Sequence, residues 1–85
     1  MGILYDYWVD YMTKTIMDLK VGETGIVKSQ KINGTLGKHL REMGLIKGTH
    51  VKFERKAPLS YPIEIKLHGF YLALRKEEAE SIEIY

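Results

Sequence analysis

The sequence predicts a mainly β domain: a small barrel of about five short strands, with one short α-helix and a C-terminal helical turn. Three observations predict it. Residues 63–67 alternate strictly, with Ile63, Ile65 and Leu67 on one side and Glu64 and Lys66 on the other, as in a half-buried strand. Turn signals at Gly22, Gly48, Pro58 and Gly69 cut the chain into short segments. One interior stretch alone has helical spacing, with Leu36, Leu40 and Met43 at i, i+4 and i+7. Closing the strands into a barrel hides edges that would otherwise pair with other chains.

Residues 1–15 (MGILYDYWVDYMTKT) form an N-terminal aromatic extension that carries Tyr5, Tyr7, Trp8 and Tyr11, four of the nine aromatics. Leu4, Trp8 and Tyr11 fit one face of a short helix, which alone is marginal in water. Three readings stay open: a cover for the domain's own core, a disordered extension, or an aromatic anchor for a partner or a membrane surface. Met12 offers a second possible start. The domain proper is residues 16–85.

Ile16, Leu19 and Val21 are assigned to the core, and a turn at Val21-Gly22-Glu23 leads into a strand over 24–30 with β-branched Thr24, Ile26 and Val27. Asn33-Gly34 is the loop that sets up Thr35 as helix N-cap. Lys38, His39, Arg41 and Glu42 fall on the wet side of the helix. Gly44 suits the left-handed position that ends it, Leu45 and Ile46 return to the core, and Gly48-Thr49 turns again. Residues 50–56 alternate with Val51 and Phe53 inward. Ala57–Pro62 (APLSYP) breaks the pattern as a stiff loop. His68-Gly69 is a tight connection into a strand over 70–75 with Leu72 and Leu74 inward. KEEAESI gives a helical turn burying Ala79 and Ile82, and residues 82–85 close as a last short strand.

The 85 residues make one domain without cysteine, which fits a reducing compartment and removes thiolate metal sites and cysteine nucleophiles. The net charge of +2 is mild, but its distribution is not. Residues 28–56 hold eight Lys/Arg against Glu42 and Glu54, while the segments on either side each sum to −2. This basic middle is a solvated face or a docking surface for an acidic partner. No apolar run approaches the ~20 residues of a membrane span. The N-terminus lacks the charged and apolar regions of a signal peptide, so a cytoplasmic location is expected.

His39, His50 and His68 show none of the close metal-ligand spacings, so no metal ligand set is assigned. Ser29, Ser60 and Ser81 lie in no nucleophile context, and the carboxylates at 77, 78, 80 and 83 crowd an exposed turn. No phosphate loop is present, and no catalytic residue is named. Nucleic acid would need exposed aromatics among the basic residues, where only Phe53 occurs. The apolar groups without a core role are Pro58, Leu59, Tyr61 and Pro62. On a stiff loop, Pro58, Leu59 and Tyr61 are candidate partner anchors, with Lys38 and Arg41 as flanking charges.

Taken in order, DLKVGETGIV (18–27), LGKHLREMGLIKGTHV (36–51), APLSYPIEIKLHG (57–69) and FYLALRKEEAESIEI (70–84) resemble the ferrous iron transport protein A (FeoA) family. The resemblance covers about residues 16–85. It implies an SH3-like β-barrel and a non-catalytic cytosolic accessory protein of bacterial ferrous iron uptake. The implied partner is the membrane permease with a G-protein domain (FeoB), with neither nucleic acid nor a membrane span involved. No cofactor is required on this reading, and a weak divalent transition metal is compatible with it. The alternative is a metal sensor or carrier using His39, His50 or His68; a nucleic-acid-binding barrel is a further one. The chain is expected to be a monomer or weak dimer.

Overall fold

Alternating strands bury one face, and in this chain they join into one antiparallel sheet. The computed structural model of the chain describes residues 14–58 and 62–85. In order, the elements are β1 (Lys14–Thr15), a 3-10 turn (Ile16–Asp18), β2 (Thr24–Gln30), α1 (Gly34–Glu42), β3 (His50–Lys56), β4 (Ile63–Leu67), β5 (Phe70–Leu74), α2 (Lys76–Glu80) and β6 (Ile82–Ile84). The sheet order is β1-β6-β2-β3-β4-β5. The described residues therefore carry six strands, one more than the patterning predicts. The added strand is β1, two residues that the sequence reading assigns to the extension; they pair with Ile84 and Glu83 of β6.

Two bulges curl the sheet. β2 lies against β3 through Thr24–Ile26, then changes partner to β6, with Lys28 as the extra residue between Val27 and Ser29. In β3, Glu54 is the extra residue opposite β4. Each bulge adds local twist and bends its strand, which wraps the sheet around a single core. That core comprises Val27, Val51, Phe53, Ile63, Ile65, Leu67 and Leu74 from the sheet, Leu40 from α1, and Ile16, Leu45, Ala79, Ile82 and Ile84. The inward assignments in β3 and β4 agree with the alternation. Two core assignments are corrected. Val21 is 60% exposed and Ile46 49%, because both stand in turns, next to Gly22 and between Gly44 and Gly48, where the chain reverses with φ positive.

α1 begins two residues before the expected start. Asn33, not Thr35, is its N-cap, and Gly34 takes φ +74 to swing the chain into the helix. The helix ends as predicted. Gly44 has φ +98, the Leu45 N–H donates to the Leu40 carbonyl and the Gly44 N–H to that of Arg41, each at 3.0 Å. This is the paired bond of a Schellman cap. β4 and β5 are joined by the two-residue turn His68-Gly69, both residues left-handed at φ 50 and 83, the twist that a tight hairpin requires. Among the described residues no helix is long and apolar enough to cross a membrane.

Candidate functional site

The helix lies across one end of the sheet without sealing it. A groove of about 840 Å³ runs between α1 and β5. One wall is the apolar stripe of α1. Leu40 is buried at its base, Met43 is half-buried, and Leu36 is 41% exposed. The facing wall is β5, where Leu74 is buried and Leu72 half-buried. Pro62 and Arg75, which flank the Ile63–Leu74 pair, stand together at one end, where the first turn of α2 (Arg75–Glu78) adds to the lining, and His39 lines the groove from α1. The stripe that the sequence assigns wholly to the core is thus shared between core and groove.

α1 is fixed in place by its neighbours. The Gln30 side chain accepts from the Ile32 N–H at 2.7 Å and donates to the Gly37 carbonyl at 3.1 Å, tying the helix to the chain that leads into it. A Cβ at Gly37 would lie 1.8 Å from the Ile32 carbonyl oxygen, so glycine permits this close approach. At the far end the Gly44 carbonyl accepts from the Thr49 hydroxyl at 2.7 Å and stands 3.3 Å from His68 Nε2. These contacts hold α1, the groove's helical wall, at both ends.

Of the sequence-predicted contact residues, Lys38 and Arg41 are exposed on α1, outside the groove lining. Pro58 is exposed and lines a smaller recess of about 330 Å³, which shares Pro62 and Ala73 with the groove. Leu59 and Tyr61 lie outside the described residues. The structure therefore brings Pro58 to the groove's edge and puts the two cations on the back of its helical wall. Leu36 and Leu72 were missed as site residues. Each sits at a correct core-facing register, and the pattern carries no sign that packing stops short of them.

The three histidines stand apart, His39 on α1, His50 at the start of β3 and His68 in the β4–β5 turn. Among the described residues no group of three or more His, Cys, Asp or Glu is placed to hold a metal ion. Strand pairing also creates a basic and aromatic row that sequence spacing does not show. Lys52 of β3 faces Lys66 of β4, whose ammonium lies 5.5 Å from the Tyr71 ring centre. Phe53, the one aromatic in the basic stretch, is fully buried.

The described hydroxyls whose bonds are resolved serve the fold. Ser29 donates to Glu83 Oε1 at 2.7 Å, and Lys31 Nζ lies 3.1 Å from Glu83 Oε2. The Ser29 hydroxyl, and after it Lys31, hold the Glu83 carboxyl below the ordinary carboxylate range. Ser81 donates to the Glu77 carbonyl, and the Thr49 bond braces the α1 cap.

Comparison with known proteins gives a consistent set. The FeoA domain family model matches residues 14–85. The FeoA protein of Chlorobium tepidum, solved in solution, superposes with a TM-score of 0.79 at 34% identity, covering 84% of this chain and 68% of that one. Stenotrophomonas maltophilia FeoA, solved with zinc and described as a prokaryotic SH3 domain protein proposed as a ferrous iron transport activating factor, gives 0.73 at 27% identity over 84% of this chain and 88% of its own. A fusion of Fe(2+) transport protein A with the Fe(2+) transporter FeoB in Porphyromonas gingivalis is 26% identical over 69 residues. Those residues are 81% of this chain and 8% of the fusion's length.

Proposed function

The chain belongs to the FeoA domain family, a family of ferrous iron transport with an SH3-like fold, and we propose that it acts as a non-catalytic accessory module docking on the cytoplasmic part of an FeoB-type permease. The observation that carries this reading is the fusion protein, in which a domain similar to this one shares a polypeptide with the transporter. Domains fused in one organism commonly act as separate partners in another, so the fusion supports a physical contact.

The groove supports the location of that contact. It is apolar, preformed and edged by Pro58, with Lys38 and Arg41 on the outer side of its helical wall. Such a surface binds through a few apolar anchors, with charges steering the approach. We assign Leu36 and Leu72 as anchors and Lys38 and Arg41 as steering charges. Leu59 and Tyr61 remain proposed anchors on sequence grounds. Cytoplasmic placement follows from the proposed partner surface.

The test is an NMR titration of labelled full chain with the permease's cytosolic domain, with and without guanine nucleotide. Shifts should cluster on residues 36–43, 58 and 72–75. Leu36→Asp should weaken binding at least tenfold, and Arg41→Glu should slow association. Parent-like binding by both variants would remove the groove from the mechanism.

A further inference from the structure

The two ends of the sheet are finished differently. β1, at one end of the strand order, is two residues long and holds a lysine, the short and charged form in which natural sheets leave an edge. β5, at the other end, pairs with β4 alone among the described strands. Its five residues, Phe70–Leu74, include no charge and no proline, and its register to β4 runs without a bulge. None of these devices against edge pairing lies within it.

The edge offers a defined set of bonds. The two-residue turn closes on the pair Leu67–Phe70. Antiparallel ladders alternate, so Phe70, Leu72 and Leu74 direct their backbone groups to β4, while those of Tyr71 and Ala73 point to the open side. Among the described residues, nothing bonds the backbone N–H or carbonyl of Tyr71 or Ala73. The next outward residue, Arg75, is already engaged: its N–H donates to Glu78 Oε1 at 2.8 Å, and its carbonyl accepts from the Ala79 N–H at 2.9 Å. In the other direction Gly69 belongs to the turn, at φ 83. The usable edge is therefore Tyr71 and Ala73, with two donors and two acceptors.

A second copy of the chain matches that set. A two-fold axis through Leu72 puts Tyr71 of each copy opposite Ala73 of the other as hydrogen-bonded pairs, and four bonds then satisfy every group. A shift of two residues either way puts Tyr71 or Ala73 on the axis and sets the other against the turn Gly69 or the engaged Arg75. The side chains agree with the central register. On the outer face Tyr71, 54% exposed, meets Ala73, which is exposed and small enough to leave room for the ring. On the groove side the half-buried Leu72 meets its own copy in a non-hydrogen-bonded pair, where side chains come closest. Charge agrees as well. The paired strand carries none, and at its ends the start of α2 balances Arg75 and Lys76 with Glu77 and Glu78.

We infer that the chain self-associates through β5, with Tyr71 and Ala73 of one copy bonded to Ala73 and Tyr71 of a second across a two-fold axis at Leu72. One strand pair is a small interface, below ~1,200 Å² in total, so the association is weak and reversible. It brings the two α1–β5 grooves side by side at Leu72, which lines each. The pairing does not rest on the docking reading above, and its test contains no permease.

Sedimentation equilibrium of the full chain, from micromolar to millimolar concentration, should show a monomer–dimer equilibrium. The Tyr71 and Ala73 amide signals should shift over the same range. In a mixture of labelled and unlabelled chains, isotope-filtered NOEs should join Tyr71 of one copy to Ala73 of the other. Ala73→Pro removes an edge-facing N–H and leaves the bonds to β4 intact. Ala73→Lys fills the space that the opposing Tyr71 needs and adds a charge on each side of the axis. Each variant should weaken the dimer at least tenfold and still melt cooperatively; if Ala73→Pro does not fold, Ala73→Lys decides. A chain that stays monomeric to millimolar concentration overturns the inference. So does a dimer that Ala73→Lys leaves unchanged, or one whose interchain NOEs come from another face.

Discussion

Replacing Gly37 by alanine should destabilise the domain, against the usual rule for helices. In an exposed helix interior, Gly→Ala gains ~1 kcal/mol from propensity. Here the new methyl would meet the Ile32 carbonyl, 1.8 Å from its oxygen and 2.7 Å from its carbon. Normal contact lies near ~3.5 Å, so the helix or residue 32 must move by more than ~1 Å. Neither neighbour is a pliable side chain end. The movement strains both Gln30 bonds, to Ile32 and Gly37, each worth ~1 kcal/mol net. It also lifts Leu40, 2% exposed, and forfeits part of the ~2 kcal/mol that its burial contributes. Set against the propensity gain, the net loss is ~2 kcal/mol, which for a domain of this size lowers Tm by roughly 8–16 °C. Thermal and urea unfolding would measure it, with Lys38→Ala as a neutral helical control. A Gly37→Ala chain that melts at or above the parent temperature would refute the close approach of α1 to Ile32 and the fixed groove built on it.

Further outcomes follow from other parts of the structure. Leu36→Asp should keep Tm within a few degrees, since Leu36 is 41% exposed, while weakening the permease contact; loss of folding would return Leu36 to the core. Gly44→Ala should cost ~1–2 kcal/mol, because φ +98 disfavours any Cβ and the methyl would press on His68 Nε2 at 2.7 Å; a neutral result in urea melts would contradict the cap. Glu83 supplies a pH dependence. Its carboxyl is held low in the folded chain, first by the Ser29 hydroxyl and then by Lys31, so its stabilising contribution is full above the ordinary carboxylate value of 4.5 and is lost as pH falls through the lowered one. Ser29→Ala should therefore shrink the stability difference between neutral and acidic solution, read from urea midpoints at both; an unchanged difference would show that Ser29 does not hold the charge.

Much of the fold is legible because its strands obey a simple period. β4 alternates apolar and charged residues without exception, and β3 does so through Phe53, where a bulge interrupts it. Gly44 was readable as a helix stop because glycine relieves the left-handed cap. β1 was not readable, since two residues carry no period and owe their strand to the β6 edge alone. Val21 and Ile46 misled because apolar identity does not encode direction, and positive-φ glycines beside them turn both side chains outward. The groove was least legible. Leu36, Leu40 and Met43 form one stripe, and how far the sheet extends beneath it is a property of tertiary packing that no local spacing expresses.

The same packing shapes the groove on which the proposed docking rests. Each polar contact around α1 holds backbone in place: Gln30 grips Ile32 and Gly37, and Thr49 grips the Gly44 carbonyl. With its two ends tied, the helix leaves Leu36 41% exposed along the groove. A preformed site spares an incoming segment the cost of ordering it. Among the described strands β5 pairs with β4 alone, and an apolar wall beside such an edge is also a liability, because exposed strand edges pair with other β-prone segments.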